Sequence, residues 1–228
     1  MPKSTGPVPF LDPEKVAYWY FRLNGFLQIE NFVVHPERRG SQRTDADLLG
    51  VRFRHRAEFL FDHRITMIDD KYLSLTRRFD DVAIVEVKRN QPCSLNGPWT
   101  DPDRRNVHRV LAAIGCISGE NIEEAAGLIY EDGIAIFGRT RIRLFAVGRT
   151  ASPDLAERHP EVLQLTWDHI IGFVWDRFRA YREQKRHVQQ WDDSGRLLRQ
   201  LADENDRAPF IFEAGRRMGL TREQGLTD

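Results

Sequence analysis

The run Val82-Ala83-Ile84-Val85-Glu86-Val87-Lys88 constrains this chain more than any other stretch. Its short apolar, β-branched character reads as a strand in the core of a sheet, yet a carboxylate and an amine are set into it two positions apart. Side chains on a strand alternate between faces, so Glu86 and Lys88 share one face while Ala83, Val85 and Val87 share the other. Ionisable groups at the end of a core strand are costly unless they neutralise each other or hold something charged. A divalent metal with a phosphate meets that requirement, and the run therefore points to chemistry.

A chain of 228 residues can bury one substantial core. The expectation is one α/β domain over residues 1–150, with residues 151–228 as a helical C-terminal extension. Lys plus Arg and Asp plus Glu are both 34, a formal net charge of +0, so any polyanion site must be a local patch and not a property of the whole surface. Cys93 and Cys116 are the only cysteines. They are too few for a disulfide scaffold or a four-cysteine zinc site and suit a reducing compartment, so a cytoplasmic location is expected. The segment Met1 to Pro7 has no apolar signal core, no stretch approaches the ~20 apolar residues of a membrane span, and no membrane partner is expected. A Gly-x-x-x-x-Gly-Lys-Ser/Thr phosphate loop is missing, which removes self-driven ATP hydrolysis from the candidate activities.

Asp12 and Pro13 read as the cap and first position of a helix that runs to about Asn24, with Gly25 as its stop. Strands are expected over Leu27 to Val34, Asp45 to Phe53, Val82 to Lys88, Ile134 to Phe137 and Ile142 to Val147. A helix is expected from Arg105 to Ile114, closed by Gly115. From Thr166 to Trp191 the residues Ile170, Ile171, Val174, Phe178 and Tyr181 keep a helical period, while Arg177, Arg182, Lys185 and Arg186 crowd the tail, which reads as a solvated face or as a surface for nucleic acid or a partner. Residues 54–81 resist assignment and read as an insertion over the sheet. The order of elements is α/β.

In Thr44-Asp45-Ala46-Asp47-Leu48-Leu49-Gly50, the alternation that pairs Glu86 with Lys88 puts Asp45 and Asp47 on one face. If the two strands adjoin, Asp47 and Glu86 converge. Two carboxylates with a backbone carbonyl, that of Val87, make a hard-oxygen site for Mg²⁺ or Mn²⁺ that leaves positions for water and phosphate. Lys88 beside that water either accepts its proton or holds positive charge near the reacting group. Asp45 reads equally as an auxiliary ligand and as the residue closing the turn after Thr44. Glu14 lies in a helix first turn, where a carboxylate is favoured whatever the chemistry, and Glu30 competes with it as an additional acid.

Asp47 followed by two apolar residues and a small one, then Glu86-Val87-Lys88 on the next core strand, resembles the PD-(D/E)xK nuclease superfamily. The order Glu14, helix, Gly25, strand, Asp-x-Asp-Leu-Leu, then Val-Glu-Val-Lys-Arg is similar to the endonuclease-like core of Holliday-junction resolvases and restriction endonucleases, over roughly residues 13–116. The resemblance implies a restriction-endonuclease-like three-layer core with a mixed central sheet flanked by helices. It implies a metal-dependent endonuclease acting on phosphodiester bonds, in DNA sooner than RNA, with Asp47 and Glu86 on the metal, Lys88 assisting catalysis and Glu14 completing the site. Two departures stand out. The step from Asp47 to Glu86 is 39 residues (86 − 47), which calls for an insertion, and Ala46 stands where the family name has proline.

Arg38, Arg39 and Arg43, with Arg52, Arg54 and Arg56 beyond, read as a phosphate-tracking rim beside Asp47 or as a solvated loop balanced by Glu37 and Asp45. Arg105, His108 and Arg109 open the helix after Lys88, and Arg109 is a candidate phosphate contact. Trp99 either stacks on a base or anchors its loop by packing. The rival to a nuclease is a catalytically inactive module of the same fold that binds nucleic acid or a partner protein, and in either case a homodimer is admissible.

Overall fold

Asp12 accepts the Glu14 N–H at 3.0 Å and Pro13 occupies the first turn, which fixes the start of helix α1 (Pro13–Leu23). Gly25, at φ +84°, then turns the chain into strand β1 (Leu27–Val34). The computed structural model describes residues 10–34, 44–58, 68–184, 186 and 191–220. Strands β2 (Thr44–Arg52), β3 (Asp80–Val87), β4 (Ile134–Phe137), β5 (Thr140–Gly148) and β6 (Leu163–Thr166) complete a mixed six-stranded sheet in the order β1-β2-β3-β5-β4, with β6 also on β5. The β1–β2, β2–β3 and β4–β5 pairings are antiparallel, whereas β3 and β6 each run parallel to β5.

Alternation along β3 sorts the layers. Ala83 and Val85 face a core shared with α1 and with helix α6 (Trp167–Ala180), and Val87 packs at its margin. Val82 and Ile84 face a second core covered by α3 (Asn106–Ile114) and α4 (Ile122–Asp132). A sheet buried on both faces needs this near-continuous apolar reading, and the architecture is α/β with helices on each side. Short helices α2 (Gly97–Thr100) and α5 (Pro153–Arg158) occupy connections, and α7 (Asp193–Glu204) and α8 (Arg207–Arg217) pack beside α1 and α6.

The stretch expected as a helical extension thus supplies a strand, β6, and a covering helix, α6, to the same sheet and core. Helix α6 is also shorter than its period suggested. It ends at Ala180, because Tyr181 leaves helical geometry at φ −119°, ψ 32°. Nor is its basic tail all solvated. Arg177 is 3% exposed and donates to the Ile68 carbonyl, its guanidinium lying over the Phe173 and Tyr181 rings; Lys185 lies outside the described residues. Within the expected insertion, residues 54–58 and 68–81 are described; they include a 3-10 turn, Lys71–Leu73, capped by Asp70 and buried through Leu73, and the first two residues of β3. No helix among the described residues is long and apolar enough to cross a membrane.

Two anchors fix the chain as it leaves β3. Trp167, fully buried, donates its indole N–H to the Lys88 and Arg89 carbonyls at 3.0 and 2.9 Å. Gly148 lies under the same loop, where a Cβ would sit 2.5 Å from the Cys93 backbone nitrogen. Overpacking against backbone has no cheap relief, so Gly148→Ala lowers unfolding free energy by about 1–3 kcal/mol. Gly127 lies within α4 with no atom within 4 Å of a built Cβ, and Gly127→Ala raises it by about 0.5–1 kcal/mol. Urea unfolding of both variants checks the pair, and equal signs would contradict this packing.

Candidate active site

The β2–β3 ladder runs from Arg52↔Asp81 to Leu48↔Val85 and ends there. The next step of the register sets Asp47 opposite Glu86, where directly opposed residues point to one face. Beyond the ladder the Asp47 side chain replaces a strand carbonyl, its Oδ2 accepting the Val87 N–H at 2.6 Å. On the other side of β3, the Lys88 N–H bonds the Val147 carbonyl at 2.8 Å, so β5 keeps the strand in place while β2 gives way to a carboxylate.

Glu86 is 3% exposed, and a charge so placed requires partners. Its Oε2 accepts the Trp99 indole N–H at 2.8 Å, and its Oε1 accepts from the Asn96 side-chain amide and the Lys88 ammonium. Trp99 is itself buried, which settles its role as packing and hydrogen bonding within the loop after β3. Asp47 is pushed up to about 7, chiefly by burial and then by the Glu86 charge, with Glu14 adding to the effect and the Val87 N–H and Lys88 opposing it. Glu14 is also raised, by burial first and then by Asp12, Asp45, Glu30 and Glu86. Asp47, Glu86 and Glu14 therefore share one field of negative charge, into which Lys88 projects.

Of the residues singled out in the sequence, Asp47, Glu86 and Lys88 come together here, Glu14 lies within their electrostatic reach, and Asp45 acts on Glu14. Glu30 is paired with Lys15. Val87 contributes its N–H to Asp47. Arg109 is on α3, donating to the Arg104 carbonyl at 2.8 Å and lining a groove with Phe32 and Val34. Arg38, Arg39 and Arg43 lie outside the described residues. Arg52, Arg54 and Arg56 do not flank Asp47. Arg52 is five residues along β2, ~17 Å at the rise of an extended strand, and the three are paired with Asp69, Asp80 and Glu58 at the opposite end of the strand. Sequence reasoning missed Asn96 as a partner of Glu86. The Asn-Gly-Pro turn signal was visible, but only the tertiary fold shows which carboxylate the amide meets.

The donor chemistry suits a hard divalent cation. It is oxygen-only, and the mutual repulsion that raises Asp47 is what such a charge would relieve. Among the described residues no three or more His, Cys, Asp or Glu side chains already stand in a metal-holding arrangement, and Glu86 is engaged by protein donors at both oxygens. Holding a metal here requires Glu86 Oε1 to give up Lys88 or Asn96. Comparison of the chain with protein-family models, curated proteins and solved structures finds no match.

The elevated Asp47 fixes a pH dependence of stability. Below pH 3.8 the group is protonated in both states; between that value and about 7 the unfolded chain loses the proton while the folded one keeps it, so folding becomes progressively less favourable and the loss is complete above 7. Without divalent cations, the wild type is expected to lose this contribution to stability between pH 3.8 and about 7. Asp47→Asn, which keeps an acceptor for the Val87 N–H, should match wild type at about pH 3.5 and exceed it by about 1 kcal/mol at about pH 8, a value reduced by solvent screening. Thermal unfolding in chelator at both pH values measures this, and an Asp47→Asn variant whose stability runs parallel to wild type across the range would contradict it.

Proposed function

We propose that this chain is a PD-(D/E)xK-type nuclease with a restriction-endonuclease-like core, hydrolysing phosphodiester bonds with Mg²⁺ or Mn²⁺, in DNA sooner than in RNA. The observation that carries the reading is the meeting of Asp47, Glu86 and Lys88 where the β2–β3 ladder ends, with Asp47 raised by burial and by its carboxylate neighbours. Asp47, Glu86 and the Val87 carbonyl would hold the metal. When bound, such a cation supplies positive charge to phosphate oxygens and acidifies a coordinated water.

The protein groups have separate tasks. Lys88, already donating to Glu86, is a charged ammonium at the mouth of the site; released from Glu86 Oε1, it is positioned to neutralise the negative charge that grows on the phosphate as water oxygen bonds to phosphorus and the bridging P–O bond breaks. Trp99 and Asn96 orient the Glu86 carboxylate, and the Trp167 indole fixes the backbone of Lys88. Burial of Glu86 keeps bulk water from screening these charges.

A second reading is favoured by a specific observation: both Glu86 oxygens are satisfied by Trp99, Asn96 and Lys88, as in a carboxylate whose role is structural. On that reading the chain is an inactive module binding nucleic acid or a partner protein. Incubation with plasmid, linear and single-stranded DNA and with RNA, in Mg²⁺, Mn²⁺ and chelator, separates the two. The expected result is metal-dependent cleavage reduced at least ~100-fold by Asp47→Ala and by Lys88→Ala. Cleavage that survives both substitutions would overturn the site, and no cleavage of any substrate would favour the module.

A further inference from the structure

Strand β1 contains one residue that a regular strand would not hold. Asn31 has a φ of +51°, in the left-handed region, although β1 runs through it from Leu27 to Val34. The ladder with β2 skips this position: Glu30 pairs with Leu48 and Phe32 with Ala46, which leaves Asn31 opposite Asp47. The offset is the same on both sides of the gap, so no residue is inserted and the kink is not a bulge.

What changes at the gap is the pleat. Side chains two apart on a strand ordinarily share a face. In β2, however, Leu48 packs in the core under α1 and α6, whereas Ala46 packs with Leu49 in the core under α3 and α4. In β1, Glu30 turns to Lys15 of α1, whereas Phe32 packs against the α3 and α4 core. Both strands therefore reverse their faces at one rung, as opposed residues must if each pair is to stay on a common face. Asp47 is the β2 residue at which the alternation breaks, and there its carboxylate reaches along the sheet to accept the Val87 N–H.

A residue other than glycine rarely takes a positive φ, and asparagine is among those that take it most readily. The Asn31 side chain is exposed and has no hydrogen-bond partner among the described residues, so its contribution here is the backbone conformation it permits. Strand β1 lies at the edge of the sheet with β2 as its neighbour, and no second strand holds it in the kinked form.

We infer that Asn31 is a positioning residue for the acidic centre: its left-handed backbone reverses the pleat of β1, β2 follows across the ladder, and Asp47 is thereby turned onto Val87 beside Glu86. The consequence for catalysis rests on the nuclease reading; the placement of the carboxylate does not.

Amide hydrogen exchange on the full chain in chelator, followed by NMR, reads that placement, because the Val87 N–H donates to Asp47 while the adjacent Lys88 N–H donates to the Val147 carbonyl. Asn31→Gly keeps the left-handed region open and Asn31→Val closes it. The glycine variant is expected to exchange at both amides as the wild type does. In the valine variant Val87 exchange is expected to rise at least ~10-fold while Lys88 keeps its protection, and Mn²⁺ affinity, read by electron paramagnetic resonance, to fall ~10-fold. Asn31→Ala carries the same comparison if the valine variant does not fold. Val87 protection that is unchanged in the alanine and valine variants, that is lost equally with Lys88 protection, or that is lost in the glycine variant overturns the assignment. The expected exchange pattern in a chain that neither binds Mn²⁺ nor cleaves nucleic acid supports the positioning and counts against the nuclease.

Discussion

The buried carboxylate of Glu86 is the constraint on which this end of the molecule depends. Removing a charge from water costs several kcal/mol unless donors replace the lost solvation, and the fold supplies three: a lysine two residues on along the same strand, and an amide and an indole from the loop and short helix that follow. Those donors dictate the local path. The chain must turn back after β3 far enough to bring Asn96 and Trp99 over the strand it has just left, and it does so over Gly148, where no side chain would fit, held by Trp167. What positions the charged groups is therefore packing and hydrogen bonding of apolar and neutral residues.

A neutral chain can nonetheless present strong local fields, because its charges are segregated along the strands. Asp47, midway along β2 where its ladder with β3 stops, belongs to the acidic group; Arg52, at the end of the strand, belongs to a basic one. The basic end is reinforced by Asp81, 1% exposed, which accepts from Arg141 at 2.6 Å and Arg143 at 2.9 Å. Burial lowers Arg143 to about 10 even so, a sign of how far this cluster has been drawn from solvent. Opposite charge at separate points along one strand is an arrangement that net charge alone conceals.

Much of this was legible in the residues. Asp12-Pro13 and Gly25 bound the first helix, the Leu27–Val34 strand has the expected limits, and the alternation in Val82–Lys88 sorts its side chains to the two cores as read. The pairing of Asp47 with Glu86 follows from two strands in antiparallel register. Helix α4 went unread although Ile122, Ala125, Ala126 and Ile129 keep a helical spacing before Gly133, a signal present but not used. The ~17 Å between Arg52 and Asp47 follows from the rise of the expected strand itself. Other features were not accessible. The partners that Arg54 and Arg56 find in Asp80, Asp69 and Glu58 are set by the tertiary fold. The burial of Arg177 depends on the segment at Ile68 folding over α6, and the part played by Asn96 on a loop returning to its own strand.

If Asp47 and Glu86 jointly hold a divalent cation, Mn²⁺ titration followed by electron paramagnetic resonance reads that binding without requiring turnover. One bound Mn²⁺ per chain is expected in the wild type at neutral pH, weakened at least ~10-fold by Asp47→Asn and by Glu86→Gln alike. Binding that is absent in the wild type, or that both substitutions leave unchanged, would contradict it.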